Sequence, residues 1–143
     1  MIDFKETPEI RGQFKIINNG SIVLGSNLRF YSSFNSNPIG ISKYCSVFVA
    51  DNAKLSIGDN CGFSGVSIYC STGINIGDNL FCGANVNIWD TDFHPLSHHE
   101  RNNNLDHLAV SKNISIGSDV FIGANSIILK GVTIGDRSVI GAG

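Results

Sequence analysis

Residues 116–143, IGSDVFIGANSIILKGVTIGDRSVIGAG, place isoleucine at Ile116, Ile122, Ile128, Ile134 and Ile140, a strict period of six. A helix advances about 100° per residue, so successive isoleucines would point about 240° apart and form no apolar stripe. Six is a multiple of the strand period of two, and extended backbone can turn every isoleucine to one side. Glycine follows at Gly117, Gly123, Gly135 and Gly141, and Val120, Ser126, Val132 and Ser138 lie four past an isoleucine. Each hexad therefore reads as a short strand followed by a bend.

One such unit cannot bury its apolar face alone. Stacked coils let the isoleucines line a continuous core, which predicts an all-β parallel β-helix built from hexapeptide repeats. Three hexads per coil place Ile116 above Ile134, with coils separated by about 4.8 Å. The same period runs, less regularly, through earlier residues. Leu24 and Phe30 are six apart; Ile41, Val47 and Ala53 resume after Ser36-Asn37-Pro38 breaks the frame; Ile57, Phe63 and Tyr69 form one set, and Ile76, Cys82 and Ile88 the next. IGDN at 57–60 and 76–79, and IGDR at 134–137, are internal copies whose Asp and Asn suit tight bends. Residues 1–20, with Pro8 and the Asn18-Asn19-Gly20 turn signal, read as an N-terminal segment capping the first coil, and 21–143 as the repeat domain. Between about 90 and 113 the period disappears in a polar stretch that holds all four histidines. A long excursion from a regular stack is more often functional than accidental.

A chain of 143 residues is of single-domain size. Its net charge of −2 and lack of a basic run argue against a nucleic-acid partner. No apolar run approaches the twenty residues needed to insert in a membrane, and Met1 to Ile10 contain no secretion signal, so a cytoplasmic location is expected. Cys45, Cys61, Cys70 and Cys82 have no metal-binding or redox spacing; Cys82, six from Ile76 and from Ile88, reads as a small inward core residue.

The segment HPLSHHER (94–101), preceded by DTDF, resembles the histidine loop of the galactoside and maltose O-acetyltransferases of the hexapeptide-repeat family, and of related surface-polysaccharide acetyltransferases. With the repeats, the likeness covers residues 57–143. It implies a left-handed coil, a homotrimer with active sites between subunits, and acetyl-CoA-dependent transfer of an acetyl group to a saccharide hydroxyl without a metal. By the same resemblance His94 is the general base. A positioned imidazole with a pKa near neutrality can take the proton of a sugar hydroxyl as it attacks a thioester. Asp92, two residues earlier, or a backbone carbonyl would fix the imidazole tautomer.

His98 and His99 are candidates for shaping the acceptor pocket, Arg101 for contacting the acceptor or anchoring the loop, and Trp89 for packing or acceptor stacking. The coenzyme A arm, laid along the coils in the family, would meet Phe121, Gly123, Ala124, Gly141 and Ala142. Ser64 stands where the galactoside enzymes carry an acceptor-contacting asparagine, and Cys70 and Ser71 replace an expected acidic residue. These departures point to an acceptor other than a simple galactoside, such as an activated or lipid-linked sugar. The family's run resembling VIGAG continues into a further coil and cap, so a truncated scaffold without activity is the alternative. A zinc enzyme resembling γ-class carbonic anhydrases is a weaker one, because its three histidines come from separate coils and those here all lie between 94 and 107.

Overall fold

The computed structural model describes residues 1–143. Seventeen short strands wind into three parallel sheets, and these form the three faces of a prism. Face 1 holds β1 (Ile2–Phe4), β4 (Ser21–Leu24), β7 (Lys54–Ile57), β10 (Gly73–Ile76), β13 (Ile114–Ile116) and β16 (Thr133–Ile134). Face 2 holds β2 (Glu9–Arg11), β5 (Arg29–Tyr31), β8 (Gly62–Ser64), β11 (Phe81–Ala84), β14 (Phe121–Ile122) and β17 (Val139–Ile140). Face 3 holds β3 (Phe14–Asn18), β6 (Cys45–Val49), β9 (Ser67–Cys70), β12 (Asn87–Trp89) and β15 (Ile127–Leu129). Successive strands visit the faces in that order, the arrangement of a parallel β-helix.

The isoleucine period lies where strand geometry requires it. Ile116 pairs with Ile134 on face 1 and Ile122 with Ile140 on face 2, while Ile88 pairs with Ile128 on face 3. Upstream, Leu24, Ile57, Ile76 and Ile116 form one in-register column of buried side chains, and Val47, Ile68, Ile88 and Ile128 another. Phe14, Phe30 and Phe63 stack at 4.6 and 4.9 Å between ring centroids. Cys82 is buried in this core, as are the other three cysteines, and all four thiols are free.

Two details depart from the sequence reading. Tyr69 was expected inward with Ile57 and Phe63, but Ile68 takes the inward place and Tyr69 faces out. The corner at Gly65 (φ +59°) is one residue shorter than a full hexad allows, and a slip of one residue exchanges the faces of a strand. Residues 1–20 wind as a coil themselves: β1, β2 and β3 pair in register with β4, β5 and β6.

Side-chain columns hold the corners. At the corner from face 1 to face 2, Asn27, Asn60, Asn79 and Asp119 all have φ between 54° and 60°. Each amide donates to the next side chain down the stack, at 3.0, 3.2 and 2.8 Å. Beside them Asp59 accepts from the Ser26 amide, Asp78 from the Asp59 amide and Asp136 from the Ser118 amide. The IGDN copies are thus stacked bend units. No helix is long and apolar enough to cross a membrane.

Candidate active site

The excursion leaves the stack after β12 and returns at β13, at the corner between faces 3 and 1. Its base is fastened by Asp90, which is fully buried. The carboxylate accepts from the amides of Ser71, Thr72 and Gly73 at 2.5, 2.8 and 2.8 Å, and from the Thr72 hydroxyl at 3.1 Å. A buried charge is tolerated when its lone pairs are filled in this way. The two stems then pair with each other: Lys112 N–H donates to the Asp90 carbonyl and Asp92 N–H to the Val110 carbonyl, around a Thr91–Ser111 bridge. The Ser111 hydroxyl donates to Thr91 at 2.8 Å.

Beyond this base lies His94, whose Nδ1 is 2.8 Å from Oδ1 of Asp106, with both side chains more than half exposed. Asp106 opens a short 3-10 turn (Asp106–Leu108) on the returning arm. A carboxylate can only accept, so Nδ1 carries the hydrogen, and in the neutral form of the ring Nε2 keeps the lone pair. This corrects the assignment of Asp92. Its carboxylate is turned away from the imidazole and pairs with Lys130 at 2.5 Å, both side chains being mostly buried. The carboxylate that meets the imidazole is that of Asp106, twelve residues on from His94.

Between them α1 (His98–Asn102) is capped by Ser97. The Arg101 guanidinium donates to the Pro95 and Leu96 carbonyls at 2.9 and 2.6 Å, which makes it the loop's internal anchor. His98 and His99 lie exposed on this helix and their rings make no hydrogen bond. His107, by contrast, lines a polar hollow of about 270 Å³ with Ser71, Thr91, Asp106 and Ser111, walled by Tyr69 and Phe93. Trp89 sits on the outer side of face 3, where its ring meets Phe93 edge-on at 5.6 Å. Tyr69 stacks on Phe48 at 4.5 Å, and these aromatics line a second, apolar cleft of about 370 Å³ with Tyr44 and Ile17.

The remaining candidates lie elsewhere on the prism. Ser64 is on face 2, paired with Tyr31 on one side and Ala84 on the other. Phe121 is exposed on the outer side of the same face, between Phe81 and Val139. Ala124 and Ala142 stand at the corner from face 2 to face 3, one coil apart. Gly123 has a packing reason: a Cβ there would come within 2.5 Å of the Ala142 amide nitrogen. The Gly141 carbonyl accepts from the Ser126 hydroxyl at 2.9 Å. The strands of face 3 separate this group from His94 within one chain. No three His, Cys, Asp or Glu side chains converge as metal ligands would.

Asp90 and Asp106 were not singled out from sequence. Both are acidic residues in a polar stretch; what marks Asp90 is its place directly after the last strand before the period fails.

Residues 113–143 match the family model described as the hexapeptide repeat of succinyl-transferase. The galactoside O-acetyltransferase of Escherichia coli is 46% identical over 70 residues, covering 49% of this chain and 32% of that protein. Among solved structures, the N-acyltransferase AntD of Bacillus cereus, in complex with dTDP and coenzyme A, superposes with a TM-score of 0.68 at 21% identity, over 99% of this chain and 70% of that one. A hexapeptide-repeat acetyltransferase of Vibrio cholerae, complexed with acetyl coenzyme A, gives a TM-score of 0.51 at 22% identity, over 95% of this chain and 56% of that one. The fold is that of these proteins, the left-handed parallel β-helix. The chain spans about a third to a half of the length of the curated relatives it matches.

Proposed function

We propose that this hexapeptide-repeat β-helix is an acetyl-CoA-dependent O-acetyltransferase acting on a saccharide hydroxyl. The observation that carries the reading is the His94–Asp106 pair, held on an anchored excursion beside a hydroxyl-lined hollow with an aromatic wall. A wall of Tyr69 and Phe93 opposite Ser, Thr and His side chains suits a sugar ring, which presents apolar C–H faces and hydroxyl edges. The relatives' names support the same reaction class.

In the proposed step the Nε2 lone pair of His94 takes the proton of the acceptor hydroxyl as its oxygen attacks the thioester carbonyl carbon. Asp106 steadies the imidazolium so formed. The tetrahedral intermediate collapses, the C–S bond breaks, and the imidazolium returns the proton to the departing thiolate, which leaves an ester and free coenzyme A. For the donor, the small residues Ala124 and Ala142, one coil apart at the corner of faces 2 and 3, would let a narrow chain lie close along that corner. Phe121 flanks that corner on face 2.

This placement also supports a trimer with shared sites. His94 and the Ala124–Ala142 corner lie at opposite edges of face 3, so the His94 of one copy reaches a donor only at the corner of a neighbour. His94→Gln is expected to keep the coil, by circular dichroism, and to lose acetyl transfer from acetyl-CoA to sugar acceptors by the 10²- to 10⁴-fold typical of a general base, roughly. Unchanged turnover would remove His94 from the chemistry. Calorimetric titration with acetyl-CoA should give about one site per chain; no heat of binding would count against the donor.

A further inference from the structure

The backbone reaches His94 through a conformation that a bulky residue seldom takes. Phe93 has φ +63°, and the His94 N–H donates to the Asp92 carbonyl at 2.7 Å, closing a three-residue γ-turn around Phe93. The other non-glycine residues with positive φ are asparagines, Asp119 and the exposed Arg137. Asparagine and aspartate tolerate that region; a phenylalanine there requires something outside the turn to hold it.

The holding contact is its ring. Phe93 packs edge-on against Tyr69 at 4.7 Å and 66°, and against Trp89 at 5.6 Å and 78°. Tyr69 is itself stacked on Phe48, so the ring docks on a rigid outer column of face 3. Both neighbours of the turn are fixed independently. Asp92 is held by Lys130 and by the Val110 carbonyl, and Pro95 is buried with its carbonyl bound by Arg101. The direction in which His94 emerges is therefore set at Phe93. The same ring is a wall of both the hydroxyl-lined hollow and the apolar cleft.

We infer that Phe93 is the positioning residue for His94: its ring, docked on Tyr69 and Trp89, holds the left-handed turn that brings the imidazole to Asp106. This rests on the proposed role of His94 for its catalytic consequence, but not for its geometry. Phe93→Gly and Phe93→Asn both accept positive φ and lack the ring, whereas Phe93→Tyr keeps it. Ring-nitrogen NMR shifts of the ¹⁵N-histidine-labelled chain report the His94 tautomer without any turnover. The expected result is an Nδ1–H imidazole in the wild type and in Phe93→Tyr, and an averaged or Nε2–H imidazole in Phe93→Gly and Phe93→Asn. Turnover should fall by roughly 10- to 100-fold in the latter two, as misplacement of a reacting group does, with the KM for acetyl-CoA unchanged, and return in Phe93→Tyr. An Nδ1–H imidazole that persists in a folded Phe93→Gly or Phe93→Asn overturns the inference. A wild type that shows the expected tautomer but transfers no acetyl group would instead overturn the proposed function and leave the positioning intact.

Discussion

The imidazole and its carboxylate come from opposite arms of the excursion, so their alignment depends on both arms. Because both are exposed, Asp106→Asn should cost much less than the roughly 10⁴-fold loss known for a buried triad carboxylate. About a tenfold fall in kcat is expected, with the fold unchanged, whereas Asp92→Asn should act on loop stability through Lys130. Comparing kcat with thermal midpoint for the two variants separates these roles. The cysteines give a second test. Burial raises the Cys61 thiol to about 11 and the Cys70 thiol to about 12, and pushes Cys82 up as well. A raised pKa keeps a thiol protonated at neutral pH, and only the thiolate is nucleophilic. Native protein at pH 7 should resist a thiol reagent that titrates all four cysteines after denaturation; rapid native labelling of Cys61, Cys70 or Cys82 would contradict the packing.

At the level of strands and corners, one left-handed residue carries the turn in each bend after β4, β7, β10 and β13. Asn79 has φ +58° and both donates and accepts in its column. Asn79→Ala removes both bonds and adds about 1–2 kcal/mol of left-handed strain, so a loss of about 2–3 kcal/mol in urea unfolding is expected. Asn79→Gly should lose less, because the strain is absent. Asp90→Ala strands three amides at the base of the excursion and should cost at least about 3 kcal/mol, with faster proteolysis between 90 and 113. These elements also show what a sequence can disclose. The isoleucine columns were legible because period six is enforced by strand pleat and coil stacking together. Tyr69 was misplaced because a corner can shorten by a residue, as at Gly65, and no apolar pattern records corner length. Asp106 was missed because the excursion has no period, and its partner lies twelve residues away across a helix and a turn. Even so, HPLSHHER drew attention to His94, and the structure adds Arg101 as an anchor rather than a free contact.

For the whole molecule, the prism keeps His94 and the Ala124–Ala142 corner on separate edges. If neighbouring copies complete one another, two inactive variants should complement. His94→Gln and Ala124→Trp, unfolded together at equal concentration and refolded, should recover roughly a quarter of wild-type activity, since a quarter of shared sites would draw an intact residue from each side. No recovery would place the whole site within one chain. The excursion itself closes through its own antiparallel stem, so the coil reads only the position of its two ends. Ile74 pairs with Ile114 across forty residues with the same geometry that pairs Ile57 with Ile76 across nineteen. Loop entropy grows slowly, with each doubling of length costing only about 0.6 kcal/mol. The stem is thus a socket: evolution, or an engineer, can exchange everything from Phe93 to Ala109 for another insert, and so change what is recognised while the register of every coil stays as it is.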